Sequence, residues 1–248
     1  MLYHHIIHGT FVSRPNRFLA KVKIKDELHT VHVKNTGRCR ELLQPGVEVL
    51  LEYHPDAETL GRKTQYSLIG VYKNMGGNRP TLLVNMDSQA PNQVAKEWLE
   101  NGGFERQTGI AVSDVRREVT YGQSRFDLAF LADGKPTFME VKGVTLENDG
   151  VAMFPDAPTE RGVKHLRELA DAAAHGFGAY VLFVIQMKGI WEFRPNWVTH
   201  EAFAQALKEV SEAGVNVLAY DCKVWEDHFR IDERVPVVYE RNEEIKEG

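Results

Sequence analysis

The stretch "RFDLAFLADGKPTFMEVKG", residues 125–143, decides the fold. Asp133-Gly134 between two strand-like runs is a two-residue hairpin signal. With those residues as the loop, Asp127 lies directly opposite Glu140. Pairs alternate outward from a hydrogen-bonded Ala132/Lys135, so 127/140 is a non-hydrogen-bonded pair, the kind whose side chains approach most closely. Pro136 falls opposite Leu131 in another such pair, where its missing N–H breaks no ladder bond. Phe126, Leu128, Phe130, Thr137, Met139 and Val141 share one side, which reads as a core face. The other side carries Asp127, Glu140 and Lys142.

Like charges directly opposite on a sheet are destabilising, so something must compensate. Lys142 does so as a neighbouring cation. A Mg²⁺ or Mn²⁺ ion does so better, with hard oxygen ligands and with water and a substrate phosphate completing the shell. Lys142 would then orient or help deprotonate an attacking water. Acid-x-lysine triplets recur at Asp133/Lys135, Asp221/Lys223 and Glu244/Lys246. Only the Glu140 triplet has a second acid facing it. A solvated sheet face with an ion pair stays open as the plainer reading.

Downstream, "PTERGVKHLRELADAAAHG" offers Thr159 as a helix cap. Arg161 and His165 stand four apart on one helical face, close enough in sequence to flank the acids as a phosphate clamp or to be ordinary surface polars. "AYVLFVIQM" is an apolar run of strand length, the mark of a strand buried on both faces. "HEAFAQALKEVSEAG" reads as a helix and "VNVLAYDCKV" as another buried strand. Upstream, "APNQVAKEWLENGG" has a helix's start and stop, and "SDVRREVTYG" reads as a strand. The alternation predicts an α/β module over 81–235. The tail 236–248 reads as flexible.

The first 80 residues read differently. "FLAKVKIK" alternates, with Lys21, Lys23 and Lys25 on one face, and "HTVHVKN" alternates again, a hairpin signal. "GRCRELLQPG" is a short helical or turn segment. With "VEVLLEYH" and "TQYSLIGVYKN" this makes about five short strands, which predicts an all-β, OB-like barrel over 1–80. "NMGGNRP" punctuates heavily and marks the boundary.

The net charge of −5 argues against a polyanion partner until it is divided. Residues 1–80 hold 12 Lys+Arg against 7 Asp+Glu, and 81–248 hold 18 against 28. The first module is therefore the one able to face nucleic acid. Cys39 and Cys222 stand far apart, in no metal-ligand spacing, and read as buried thiols in a reducing cytoplasm. No apolar run approaches the ~20 residues of a membrane span, and the start lacks the marks of a signal peptide. His4, His5 and His8 near the start read as unspecific. No P-loop, dinucleotide fingerprint or nucleophile elbow is present.

"SRFDLAF…MEVKGVTL…FPDAPTERGVKHLREL", with "RFLAKVKI", "VKNTGRCREL" and "PNQVAKEWL", closely resembles the sugar fermentation stimulation protein A family, from about Phe11 to Val224. The resemblance implies an OB-like barrel followed by a restriction-endonuclease-like domain of the PD-(D/E)xK type, with a central mixed sheet. It places that superfamily's acid, acid and lysine on Asp127, Glu140 and Lys142, and implies Glu97, on the first helix, as a further metal ligand. Phe126 stands where the superfamily label has proline. It also implies DNA binding without sequence specificity and a regulatory role in sugar, notably maltose, metabolism.

Three readings follow. One is a metal-dependent nuclease. The second is a non-catalytic DNA-binding regulator that keeps the nuclease fold, binding through Lys21, Lys23, Lys25, Arg38 and Arg40. The third is a barrel that binds RNA or oligosaccharide, for which Tyr53, Tyr66 and Tyr72 are too scattered to make a stacking ladder. Strandedness and oligomeric state are not legible.

Overall fold

The computed structural model describes residues 1–35, 37–77 and 79–241. The alternating runs near the start become β1 (Ile6–Asn16), β2 (Leu19–Ile24) and β3 (Glu27–Val33). Lys25 and Asp26 both adopt positive φ, 47° and 70°, so a two-residue loop sets the register Ile24↔Glu27. Val22 and Ile24 are thereby buried, and Lys21 and Lys23 lie on the opposite side of the strand. "GRCRELLQPG" forms turns rather than a helix. β4 (Glu48–Tyr53) pairs with β1, and β5 (Tyr66–Lys73) pairs with β4. β5 also meets the end of β3 in parallel, His32↔Ser67 and Val33↔Leu68, which closes five strands into an OB barrel. β6 (Leu82–Asn85) adds to β5 through Val71↔Val84. The barrel's sheet therefore runs past the punctuation at Pro80.

The remainder is α1 (Ala90–Glu100), α2 (Gly103–Thr108), β7 (Val112–Tyr121), β8 (Ser124–Ala132), β9 (Lys135–Val144), β10 (Leu146–Asn148), β11 (Val151–Phe154), α3 (Glu160–Ala174), β12 (Gly178–Ile185), β13 (Glu192–Pro195), α4 (Glu201–Glu212), β14 (Asn216–Val224) and β15 (Phe229–Arg234). One sheet runs β15-β14-β12-β9-β8-β7. Its central pairs β9/β12 and β12/β14 are parallel and its flanking pairs antiparallel, the mixed sheet of a restriction-endonuclease-like α/β domain. A smaller sheet, β10-β11-β13, lies beside it.

β12 is apolar throughout because helices cover both faces of the sheet. Leu182 and Val184 join α1 and α2 residues such as Val94, Trp98 and Phe104 in one cluster. Val181 and Phe183 join Leu166 of α3 and Phe203 and Leu207 of α4 in the other. Trp98 packs on Tyr220 at 4.9 Å between ring centroids and on Phe104 at 5.3 Å. At the outer edge β7 is irregular: its register with β8 shifts between Ser113 and Arg116. Asp114 and Glu118 there take positive φ, 53° and 58°.

Barrel and α/β domain are stitched together. Asn85 N donates to Gln186 O at 2.9 Å, and Gln186 Nε2 donates to Asn85 Oδ1 at 2.9 Å and Asp87 O at 3.0 Å. Lys73 of β5 donates to the backbone oxygen of Glu147 on β10 at 2.7 Å and pairs with its carboxylate. The tail is partly tied down, contrary to the sequence expectation. Val238 N donates to Phe193 O at 3.0 Å, Trp197 Nε1 to Tyr239 O at 3.0 Å, and Tyr239 OH to Ser211 Oγ at 3.0 Å. Those bonds satisfy backbone polar groups that a free tail would leave to water. The rest of the expected flexible segment, 242–248, lies outside the described residues.

Candidate metal and phosphate site

The hairpin folds in the expected register, from Ala132↔Lys135 to Leu128↔Met139. Its loop residues Asp133 and Gly134 have φ of 47° and 80°, the left-handed pair that makes Gly the natural second residue. Asp133 Oδ1 accepts from Ala111 N at 2.9 Å, anchoring the turn.

The recorded pairing stops at Leu128↔Met139, one pair short of the expected Asp127↔Glu140. Phe126 packs in the cluster under α3, whereas Leu128 and Phe130 pack under α1 and α2. The expectation of one core face and one polar face is therefore corrected: both faces are covered by helices, and the acids sit inside. Glu140 is only 2% exposed, and Asp127 is half-buried.

Asp127 Oδ2 accepts from Val141 N at 2.8 Å and Oδ1 from Asn92 Nδ2 of α1 at 2.7 Å. Glu140 Oε1 accepts from Lys142 Nζ at 2.6 Å and is 2.5 Å from His165 Nδ1. Arg161 Nε donates to His165 Nε2 at 3.3 Å. A ring nitrogen that accepts carries no proton, so His165 holds its proton on Nδ1 and donates it to Glu140. The chain Arg161–His165–Glu140–Lys142 orients one oxygen of Glu140 completely. The other, Oε2, is buried with no hydrogen-bond partner.

The environments push the two carboxylates apart. Burial, then the charge of Glu140, raise the Asp127 pKa, against the lowering by Val141 N–H, Lys142 and Asn92. Burial raises Glu140 too, but His165 and Lys142 together outweigh it and hold Glu140 below its ordinary value. Two carboxylates with opposed shifts in one site make it a candidate functional arrangement.

Asp127, Glu140 and Lys142 are thus brought together as read from sequence. Glu97 is not: its carboxylate is engaged by the Met1 amino group and by Gln93 Nε2 at 2.8 Å. The α1 residue that reaches the acids is Asn92, five positions earlier and about 140° round the helix. Nothing in the sequence singled out Asn92, because α1's rotation is set by burying Val94, Ala95, Trp98 and Leu99. The clamp expected of Arg161 and His165 is corrected too. His165 is buried with both ring nitrogens committed, so it positions Glu140 and cannot reach a phosphate; Arg161 stays exposed.

Of the expected nucleic-acid contacts, Lys21 donates to Thr30 Oγ1 at 2.7 Å. Lys23, Lys25, Arg38 and Arg40 are exposed. Among the described residues none of the five pairs with a carboxylate. A second acidic group, Asp221, Asp232 and Glu233, already holds a cation: Lys188 Nζ lies 3.1, 2.6 and 2.7 Å from the three. Lys223 pairs with Asp232 at 3.0 Å rather than with Asp221. Cys39 and Cys222 are buried free thiols, and burial pushes the Cys39 thiol up to about 12. No helix among the described residues is long and apolar enough to cross a membrane.

Residues 12–80 match the SfsA N-terminal OB domain and residues 89–228 the sugar fermentation stimulation protein RE domain. A sugar fermentation stimulation protein homolog of Desulfitobacterium hafniense (strain DSM 10664 / DCB-2) is 53% identical, with 96% of this chain and 98% of that protein covered. The homolog of Alkaliphilus oremlandii is 50% identical over 96% of this chain and 99% of its own length. A solved structure, Pyrococcus furiosus SfsA in complex with Ca²⁺, superimposes with a TM-score of 0.81 at 25% identity, covering 96% of this chain and 98% of that one. Both modules match in order and nearly end to end, so the chain belongs to the sugar fermentation stimulation protein family.

Proposed function

We propose that the chain is a divalent-metal-dependent phosphodiesterase acting on nucleic acid, with Asp127 and Glu140 as metal ligands and Lys142 as the catalytic cation. The observation that carries this reading is the buried, unpartnered Oε2 of Glu140 beside Asp127. A buried carboxylate oxygen without a donor costs about 1–3 kcal/mol or more, and a cation is the partner that carboxylate oxygens prefer. The donors are hard oxygens, suited to Mg²⁺, Mn²⁺ or Ca²⁺. Pyrococcus furiosus SfsA was solved with Ca²⁺.

Charge supports the same reading. Asp127, Glu140 and Lys142 together carry −1, which repels a phosphodiester; a divalent ion turns this to +1. Such an ion supplies Lewis acidity toward a phosphoryl oxygen. Asn92 and the Val141 N–H hold Asp127 in place, and His165 holds Glu140. Lys142, on the strand beside Glu140, is free to exchange its bond to that carboxylate for one to a phosphate oxygen or to the attacking water. Exposed Arg161 provides a positive charge at the rim.

The alternative, a DNA-binding regulator of sugar metabolism without catalysis, has one observation in its favour. Lys142 already neutralises Glu140, as a retired site would require. The test is incubation of the wild type and Asp127→Asn with linear duplex, single-stranded DNA and RNA, in Mn²⁺ or EDTA. Wild type is expected to cleave at least one substrate in Mn²⁺ alone, and the variant to cleave none. Binding without cleavage in every lane would establish the alternative.

A pH dependence accompanies this. Metal binding needs Asp127 ionised, and its pKa is raised by burial and by Glu140. Between the ordinary and the raised value the free protein still carries that proton, which metal must expel. Ca²⁺ affinity, measured by calorimetry, is therefore expected to climb with pH through this interval, with proton release there, and to level off above it. An affinity flat across the interval would exclude Asp127 as a ligand.

A further inference from the structure

We propose that a single strand of nucleic acid leaves the acid–lysine site along the groove between the two domains and rests its phosphates on an arginine loop of the barrel, with an unpaired base on Phe18. This rests on the reading of the site as one that acts on nucleic acid, and it adds the substrate's strandedness and path.

Two grooves that share Gly37 give the path. A groove of about 370 Å³ is lined by Gly143 and Val144, which end β9 just after Lys142, and by Thr145. It passes Thr159, the cap of α3, and reaches Asn35 and Gly37 on the barrel. A second groove, of about 260 Å³, starts from that same Gly37 and is lined by Arg14, Arg17, Arg38 and Arg40. Gly37 is where the domains touch: a Cβ there would lie 2.6 Å from Asp156 Oδ2.

The arginine loop is built in advance. Arg14 spends its guanidinium on the carbonyls of Arg17, Asn35, Gly37 and Arg38, at 2.8, 2.6, 2.7 and 2.9 Å. It thereby fixes the backbone that presents its neighbours. Among the described residues no carboxylate lies in ion-pair distance of Arg17, Arg38 or Arg40. Three guanidiniums without a carboxylate partner, Arg17 in the β1–β2 turn and Arg38 and Arg40 after β3, offer donors to phosphates. Asp156, the acid at the junction, suits a base amino group rather than a phosphate.

Phe18 decides between strand and duplex. It is 45% exposed, and the Arg17 guanidinium lies 4.7 Å from its ring centroid. An exposed ring with a guanidinium over one face and its other face open is a stacking platform for a base. In a duplex the faces of the bases are covered by their neighbours, so only an unpaired base reaches such a ring. A groove of this size also admits a nucleotide or two and not a double helix.

The test is fluorescence anisotropy of the full chain with a labelled 12-nucleotide mixed-sequence DNA strand and with the same sequence as a blunt duplex. Measurement in EDTA keeps catalysis out of the result. The wild type is expected to bind the strand more tightly than the duplex. The double variant Arg38→Gln/Arg40→Gln is expected to lose about tenfold for the strand, and its salt slope to fall by about 1.4, two single-strand phosphate contacts. Phe18→Ala is expected to lose at least about fivefold. Thermal melts of the variants, all at exposed positions, check that they fold. Equal binding by wild type and variants, a duplex bound as tightly as the strand, or no binding of either would each overturn the proposal. Absence of cleavage in Mn²⁺ with this binding pattern intact would overturn the catalytic reading alone.

Discussion

Glu140→Gln is expected to abolish metal-stimulated cleavage, with a loss of roughly 10²–10³-fold or more. The size follows from what the residue does. Oε1 is saturated by Lys142 and His165, and Oε2 is buried with no hydrogen-bond partner among the described residues, which leaves it for a cation. An amide keeps the shape and one acceptor but removes the charge. The Lewis acidity a bound cation contributes is worth several kcal/mol, and each ~1.4 kcal/mol is tenfold in rate. Because Lys142 would lose its counter-ion, the variant is also expected to hold Ca²⁺ far more weakly while its strand affinity in EDTA is unchanged or increased. Calorimetry with Ca²⁺ and single-turnover cleavage in Mn²⁺ read the two effects separately. A variant with wild-type Ca²⁺ affinity would place the cation elsewhere.

Lys73→Met is expected to destabilise the chain by about 3–5 kcal/mol, the cost of stranding a buried charge. Glu147 is buried, accepts from Gly150 N at 2.6 Å, and has Lys73 as its counter-ion. For a chain of this length each kcal/mol moves the melting midpoint by about 2–4 °C, so a fall of about 10 °C is expected by differential scanning calorimetry. The double variant Lys73→Met/Glu147→Leu is expected to regain most of it, since a buried pair exchanged for apolar side chains is often neutral. If the double variant melted as low as the single, the loss would come from packing or from the Lys73 bond to the Glu147 carbonyl rather than from the stranded charge. The pair bridges β5 of the barrel and β10, so the measurement also reports on the seam between the domains.

The hairpin was legible because a two-residue left-handed turn leaves no freedom of register, which holds from Ala132↔Lys135 to Leu128↔Met139 and brings Asp127 and Glu140 to one end of it. The barrel was legible from alternation in β2 and β3. What was not legible depends on which helix covers which face. Sequence alternation assigned the acids to a polar side, yet α3 lies over it, and only then does His165 become a donor to Glu140 instead of a phosphate ligand. The choice of Glu97 came from family resemblance and assumed a helix rotation. Burial of Trp98 and Leu99 rotates α1 so that Asn92 arrives instead. The boundary at Pro80 was read from glycines and asparagines, and just beyond it β6 adds to β5.

The irregular β7 has a consequence for how the chain lives with its neighbours. As the terminal strand of a six-stranded sheet it exposes a row of backbone donors and acceptors to any other strand that arrives. The register shift at Ser113/Arg116 and the left-handed Asp114 and Glu118 break that row. Ion pairs Arg116–Asp114 and Arg125–Glu118 lay charge along it. At the opposite end β15 finishes in Asp232, Glu233 and Arg234. Both margins of the sheet are thereby made poor templates for edge-to-edge pairing.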